Sequence, residues 1–318
     1  MSGQAHGGDL DRAIARFGGD PEAWVDLSTG INRRPCPLPA LPLRAWQALP
    51  TRAGMAALVE AASTAYGAGG AVLPVAGAQA AIGALPRLWP RGQARVLGPT
   101  YGEHAACLAA AGWAVEEVRT PEALTGADLA VIVNPNNPDG RALSPEAVMA
   151  LHARCGRLVV DESFADAAPD LSVAARTGVP GLVVLRSFGK FYGLAGLRLG
   201  FVLADDATVA ALAALLGPWP VSGPAVEIGR VALADEVWAD ATRARLGAEA
   251  HRLDALAVRA GWTLIGGTPL FRLYDTGDGA AAQAALARRH IWSRRFDWSA
   301  GALRLGLPGG EAEWARLS

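Results

Sequence analysis

Among the 29 Lys and Arg side chains of this sequence only one, Lys190, is a lysine. On a solvated surface the two residues do the same job, so an all-arginine surface reads as compositional bias, in keeping with the richness in Ala and Gly. At a site that needs an amine able to lose its proton they differ. Guanidinium stays charged, whereas a lysine amine can deprotonate and form a Schiff base with a carbonyl. The stretch that carries it is SFGKFYGLAGLRLGF, Ser187 to Phe201. Ser187 and Arg198 could hold a phosphate dianion. Lys190 lies between them in sequence, where its amine could reach a carbonyl carbon tethered by that phosphate.

Other polar residues stand at the ends of apolar runs. Gly77-Ala78-Gln79 closes one run and opens a helical one, and small residues there let backbone N–H groups approach an anion. Tyr101, in Pro99-Thr100-Tyr101, could stack on a flat ring. Asn137, in NPNNPDG, offers an amide donor. Asp161 ends the run LVV, and a carboxylate emerging from a buried strand is costly unless it meets a positive partner. A pyridinium nitrogen would be such a partner. Singly, each has an ordinary reading as a turn, a core ring or a loop cap; together, in this order, they do not.

The elements that must position them alternate. AVLPVAG (71–77), ARVLG (94–98), WAVEEVR (113–119), DLAVIVNP (128–135), RLVVDE (157–162), LVVLRS (182–187) and LRLGFVLA (197–204) read as strands. Ala78 to Trp89, Gly102 to Ala111 and a run opened by Ser144-Pro145 read as helices, the last with Ser as N-cap and Pro in the first turn. Apolar strands alternating with helices predict an α/β architecture, with a mainly parallel sheet covered on both faces. Ligands of such sheets sit at the carboxyl ends of the strands, where these polar residues fall. Residues 1–45 read as loop-rich. From Asp206 the pattern becomes two long helical stretches and a small α+β tail. The expected organisation is therefore a large three-layer domain over 46–205 and a small α+β domain formed by 1–45 and 206–318.

Net charge is −1, with basic and acidic residues scattered, so no nucleic-acid partner is expected. Glycines and prolines interrupt the two long uncharged stretches, Ala61 to Pro86 and Ala207 to Val226, and no membrane partner is expected either. The opening MSGQAHGGDLDRA has no apolar core of a signal peptide. Cys36, Cys107 and Cys155 fall in no metal or redox spacing. A cytoplasmic enzyme with free thiols and no metal is expected.

A Schiff-base lysine, an anionic partner for a ring nitrogen, a phosphate cup and a stacking ring are the parts that pyridoxal 5'-phosphate requires. The motifs NPNNPDG, VVDESF and SFGK…GLRLGF resemble the hallmarks of the fold-type I pyridoxal-phosphate superfamily, typified by aspartate aminotransferase, and the resemblance covers nearly the whole chain. It implies the following roles. Lys190 bonds the cofactor, Asp161 pairs with the ring nitrogen, and Asn137 bonds the ring hydroxyl oxygen. Tyr101 stacks on the ring. Ala78, Gln79, Ser187 and Arg198 hold the phosphate, and Arg304, in ALRLGL, binds the substrate carboxylate. There are two departures. Phe164 stands where the family often has Tyr, which removes one bond to the ring oxygen. LPTRAGMA (49–56) lacks the Tyr that many members lend to a neighbouring subunit, with Arg52 as a candidate substitute.

The cofactor alone does not choose the reaction; the pocket does, by fixing the substrate's other groups. Ala5-His6-Gly7-Gly8-Asp9 would give an imidazole and backbone N–H groups for an anion. Arg141 follows NPNNPDG, and Arg294 and Arg295 precede Arg304. More arginine than one carboxylate needs suggests a second anion on the substrate, such as a phosphate. HGGD with LSTGINR is similar to the opening of the threonine-phosphate decarboxylase branch of cobalamin biosynthesis, with Arg33 in place of the usual Pro. The resemblance implies that His6, Gly7, Asn32, Arg141 and Arg294 contact the substrate, a small phosphorylated amino acid. It further implies that the product is (R)-1-aminopropan-2-yl phosphate and that the enzyme is a homodimer. Alternatives are a histidinol-phosphate-type aminotransferase and a non-catalytic pyridoxal-phosphate-binding protein of the pathway.

Overall fold

The computed structural model describes residues 7–318. It divides into two compact units. One is Cys36–Asn137 with Arg141–Asp240; the other is Met1–Pro35, described from Gly7, with Pro138–Gly140 and Ala241–Ser318.

The first unit is built on a seven-stranded sheet. Its order is Ala71–Val75, Gly200–Ala204, Leu182–Ser187, Leu158–Asp161, Leu129–Val133, Gln93–Leu97 and Ala114–Val118. Gly200–Ala204 runs antiparallel to both neighbours, and all other pairs are parallel. The α/β architecture read from the sequence is therefore the one observed. These strands are rich in Val, Leu and Ile because both faces are covered. Val75, Val96, Val131, Val159, Val183 and Val202 share one core with Ile82, Leu108 and Trp113.

Strand direction decides what gathers at one edge. Five of the six like-directed strands deliver the residues after Val75, Leu97, Val133, Asp161 and Ser187 to the same end. The opposed strand delivers the residues before Gly200, so Arg198 and Leu199 arrive there too. The sequence predicts a strand from residue 197, but it begins at Gly200. Ala195–Leu197 is a short 3-10 turn, and Arg198 has φ 54°, outside extended geometry.

The helices Asp206–Leu216 and Gly223–Leu233 belong to this unit, as do residues 36–45. The first packs on strands Ala71–Val75 and Gly200–Ala204, the second on helix Arg52–Tyr66. The boundaries expected at 45/46 and 205/206 differ for that reason. The third helix, Glu236–Arg259, runs through the boundary between the units. Two long helical stretches were expected where three helices form.

The second unit has a four-stranded antiparallel sheet, in the order Arg294–Phe296, Ser299–Gly306, Phe271–Asp275, Thr263–Thr268. A two-stranded parallel ribbon pairs Val25–Asp26 with Ile291–Trp292. The opening is less irregular than expected. Leu10–Phe17 is a helix, capped by the Asp9 side chain accepting from Arg12 N–H at 3.1 Å. Its Ala13 is buried against Trp24, Ala287 and Trp292. Among the described residues, no helix is long and apolar enough to cross a membrane.

One buried charge group ties adjacent strand ends of the first unit. Arg186 donates to Glu162 at 2.8 Å and to Asp166 at 2.6 Å, and its guanidinium lies 4.3 Å over the Tyr66 ring. Burial pushes the Glu162 carboxyl up, and Arg186 counters that. Removing the cation strands two carboxylates in the interior. Arg186→Leu is expected to lower unfolding free energy by about 3–5 kcal/mol, read as a fall in the urea midpoint; a shift of a few tenths would show the group to be dispensable.

Candidate active site

The carboxyl edge of the seven-stranded sheet opens into a cavity. Gly77, Ala78, Gln79, Tyr101, Asn137, Asp161, Ser187, Lys190 and Arg198 all line it. The structure thus brings together every residue assigned to the cofactor from the sequence.

Each is held by local structure. Ser187 ends its strand, and the next turn is tight. A Cβ on Gly189 would stand 2.9 Å from the Ala195 Cα. Phe188 stacks on Tyr192 at 4.2 Å, and Phe191 and Tyr192 pack on Trp238. Lys190 is thereby carried on a rigid aromatic base, half-buried, with Nζ 5.7 Å from the Phe164 ring centre. Three asparagines divide the work in NPNNPDG. Asn134 binds the backbone of Leu143 and Leu171. Asn136 donates to Pro99 O and accepts from the Thr100 hydroxyl at 2.6 Å, which joins this loop to the one carrying Tyr101. Asn137 is the one that lines the cavity. Gln79 turns its side chain inward: it accepts from the Tyr101 hydroxyl at 3.1 Å and donates to Glu103 at 3.3 Å. Gly77 has φ 75°, and an added Cβ would lie 2.8 Å from an Arg198 guanidinium nitrogen; only glycine fits there.

Asp161 is the electrostatic centre. It is 2 % exposed, and Ser163 donates to Oδ1 from N (2.9 Å) and Oγ (2.5 Å). His104 Nε2 lies 2.9 Å from Oδ2. Burial raises the carboxyl, but the bonds from His104 and Ser163 outweigh it and hold the group below the usual carboxylate range. Asp161 is therefore an anion at neutral pH, and an anion acceptor makes His104 Nε2 the donor. His104 is the residue that sequence reasoning missed. Its one signal is a lone histidine three residues after Tyr101 in an apolar helix.

In the second unit, Arg294 and Arg304 are cross-strand partners. Like charges directly opposite are unfavourable, and an anion offsets that. Arg304 lies 5.1 Å from the Phe271 ring centre and 5.9 Å from that of Phe296, and Arg294 lies 5.3 Å from the latter. Arg304 also donates to Ser28 O at 2.6 Å. Burial, then Arg294, pull its pKa down to about 9. Gly7 fits closely over the same carbonyl: a Cβ would stand 2.5 Å from Ser28 O. Gly8 N–H donates to Ser28 Oγ at 2.8 Å. Asn32 is buried in the same unit. Arg33 makes a two-bond ion pair with Glu313, at 2.9 and 2.6 Å, which fastens its loop. Arg141, in the first unit, reaches Gly98 O at 3.4 Å. His6 lies outside the described residues. Arg52 is exposed at the start of its helix.

The cavity fits pyridoxal phosphate. It holds an ionised buried carboxylate for a protonated ring nitrogen, an amine for an aldehyde, and a side-chain-free backbone beside an arginine for a phosphate.

Comparison with known proteins agrees with this geometry. A profile of the aminotransferase class I and II family matches residues 40–315. A threonine-phosphate decarboxylase of Sinorhizobium sp. is 47% identical over 98% of this chain and 96% of its own. One of Pseudomonas aeruginosa is 46% identical over 98% of this chain and 95% of its own. A solved histidinol-phosphate aminotransferase of Sinorhizobium meliloti, in complex with pyridoxal-5'-phosphate, superposes with a TM-score of 0.81. That match covers 96% of this chain and 92% of the other at 20% identity, which speaks to the fold.

Removing the guanidinium tests its place. Arg304→Gln should bind threonine phosphate, the compound those relatives are named for, about tenfold or more weakly than the wild type in a calorimetric titration; unchanged affinity would take Arg304 out of the substrate set.

Proposed function

This chain belongs to the aminotransferase class I and II family, and we propose that it decarboxylates L-threonine O-3-phosphate with pyridoxal 5'-phosphate as cofactor. The product is (R)-1-aminopropan-2-yl phosphate, the aminopropanol unit of cobalamin biosynthesis. The observation that carries this reading is near-full-length identity of 46–47% to relatives named threonine-phosphate decarboxylase. The rival aminotransferase reading has the fold in common, and the fold does not select the reaction.

Bound in the cavity, the cofactor supplies a carbonyl for the substrate amine and an electron sink for the bond that breaks. The chain's residues do the rest. Lys190 is the amine that would hold the cofactor's carbonyl. Asp161, fixed by His104 and Ser163, would hold the proton on the ring nitrogen. Tyr101 would cover a ring face, and Asn137 would donate to the ring oxygen, which Phe164 in place of a tyrosine leaves with one donor fewer. Ser187, Arg198 and the backbone at Ala78 and Gln79 would hold the cofactor phosphate. Arg304 fixes the substrate carboxylate. Arg294, Asn32, Arg141, Gly7 and His6 form the set for the substrate phosphate, whose binding energy fixes orientation at the reacting carbon. Loss of carbon dioxide is balanced by one proton delivered to Cα, and Lys190 delivers it. No oxidant and no second substrate are consumed.

We further infer a homodimer in the cytoplasm. Leu38, Leu43, Trp46 and Leu49 form a run of exposed apolar side chains, the kind of patch that marks a protein interface.

Purified protein with threonine phosphate should release carbon dioxide with no 2-oxoglutarate present. A stoichiometric oxoacid that appears only with 2-oxoglutarate, and no gas, would replace this reading with transamination. Lys190→Ala should lose both the near-visible absorbance of bound cofactor and turnover; a spectrum like the wild type's would remove Lys190 from the site. Light scattering should give twice the chain mass, with Trp46→Glu shifting it toward one; a wild-type monomer would refute the dimer.

A further inference from the structure

A second cavity lies wholly in the second unit, lined from the helix Leu10–Phe17 and the strand Arg294–Phe296 with its flanks. Four arginines line it: Arg12 and Arg16 from the helix, Arg294 and Arg295 from the strand. Arg12 and Arg16 stand one helical turn apart, and like charges at that spacing repel. Among the described residues, Arg12, Arg16 and Arg295 have no ion-pair partner. Two carboxylates, Asp9 and Asp297, also line the cavity. Asp9 is engaged as the helix cap, accepting from Arg12 N–H at 3.1 Å. Four guanidiniums against two carboxylates leave the lining positive, in a chain whose net charge is −1.

Ser293 lines the same cavity and is 1 % exposed. Its carbonyl is satisfied, accepting from Gln283 Nε2 at 2.7 Å. Its hydroxyl is not: Oγ is buried and has no hydrogen-bond partner. A buried polar group left unbonded is costly and rare, and this one borders a cluster of cations. A hydroxyl donor beside guanidiniums is the chemistry that receives an oxyanion. Guanidinium forks match phosphate oxygens in pairs, and this many donors exceed what the two oxygens of a carboxylate can take.

We propose that this cavity is a phosphate-binding site, distinct from the cofactor's phosphate cup, in which Arg12, Arg16, Arg295 and the Ser293 hydroxyl take a phosphate dianion. The residues of the cup all belong to the first unit, and those of this site all belong to the second. Arg294 is a member of the substrate set above, so the site adjoins that set. Inorganic phosphate and a small phosphate monoester present the same oxygens to it.

The test titrates inorganic phosphate into the holoenzyme by calorimetry, in a buffer otherwise free of phosphate. Arg12→Gln/Arg16→Gln changes two exposed side chains and should weaken binding about tenfold or more. Added sodium chloride should weaken wild-type binding, because these charges face solvent. Ser293→Ala removes the unbonded hydroxyl, and the rise in its melting temperature on adding phosphate should be smaller than the wild type's. KM for threonine phosphate, measured in the same buffer, identifies the source. A KM raised about tenfold in Arg12→Gln/Arg16→Gln, with kcat little changed, assigns the site to the substrate's own phosphate. An unchanged KM assigns it to a separate phosphate, and both results keep the site. A wild type that binds no phosphate, or equal phosphate affinity in the wild type and Arg12→Gln/Arg16→Gln, overturns the proposal. Phosphate binding is measured without turnover, so a protein that releases no carbon dioxide would overturn the decarboxylase reading and leave this site standing.

Discussion

A carboxylate kept ionised inside an apolar sheet is the constraint on which the site depends. Asp161 ends a strand whose residues are all buried, and burial alone would drive it to the neutral acid. His104 and Ser163 reverse that. The result is a fixed negative charge on the cavity lining. The rest of that lining follows from strand direction. Five parallel strand ends and the entry to one antiparallel strand present an amine, an amide, a ring and an anion cup to the same cavity.

The second unit answers a different problem. Its arginines sit opposite each other across two strands, a placement that costs free energy until an anion arrives. Phe271 and Phe296 press against Arg304 from the sides, and Ser28 O fixes one nitrogen. Such packing restricts the guanidinium to a single pose. Binding an anion there costs little further ordering of the side chain.

The cofactor cavity was legible in the sequence because its residues are chemically distinctive and sit at ends of apolar runs that are hard to misread. Lys190, Asp161, Asn137 and Arg198 needed only strand order to come together. What the sequence hid was tertiary. His104 and Asp161 are 57 positions apart, and nothing local marks the pair. Arg33 looked like a departure from the family's proline; its partner Glu313 lies 280 positions away. The helix Leu10–Phe17 did leave a trace, apolar residues at 10, 13, 14 and 17 after a capping Asp9, but neighbouring glycines made the segment read as loop. The boundary at 240 left none, because a continuous helix crosses it.

The lone lysine gains a further meaning from this arrangement. An aldehyde reacts with any accessible amine, and a surface dotted with lysines offers it many wrong addresses. Guanidinium groups do not form stable imines under such conditions because they stay protonated. In this chain every other Lys-or-Arg position is arginine, so among side chains the aldehyde has one amine to find. Selectivity for one amine is therefore partly chemical and needs less from shielding. Phe188, Phe191, Tyr192 and Trp238 pack together beside Lys190, and that packing holds its amine in the same cavity as Asp161 and Asn137.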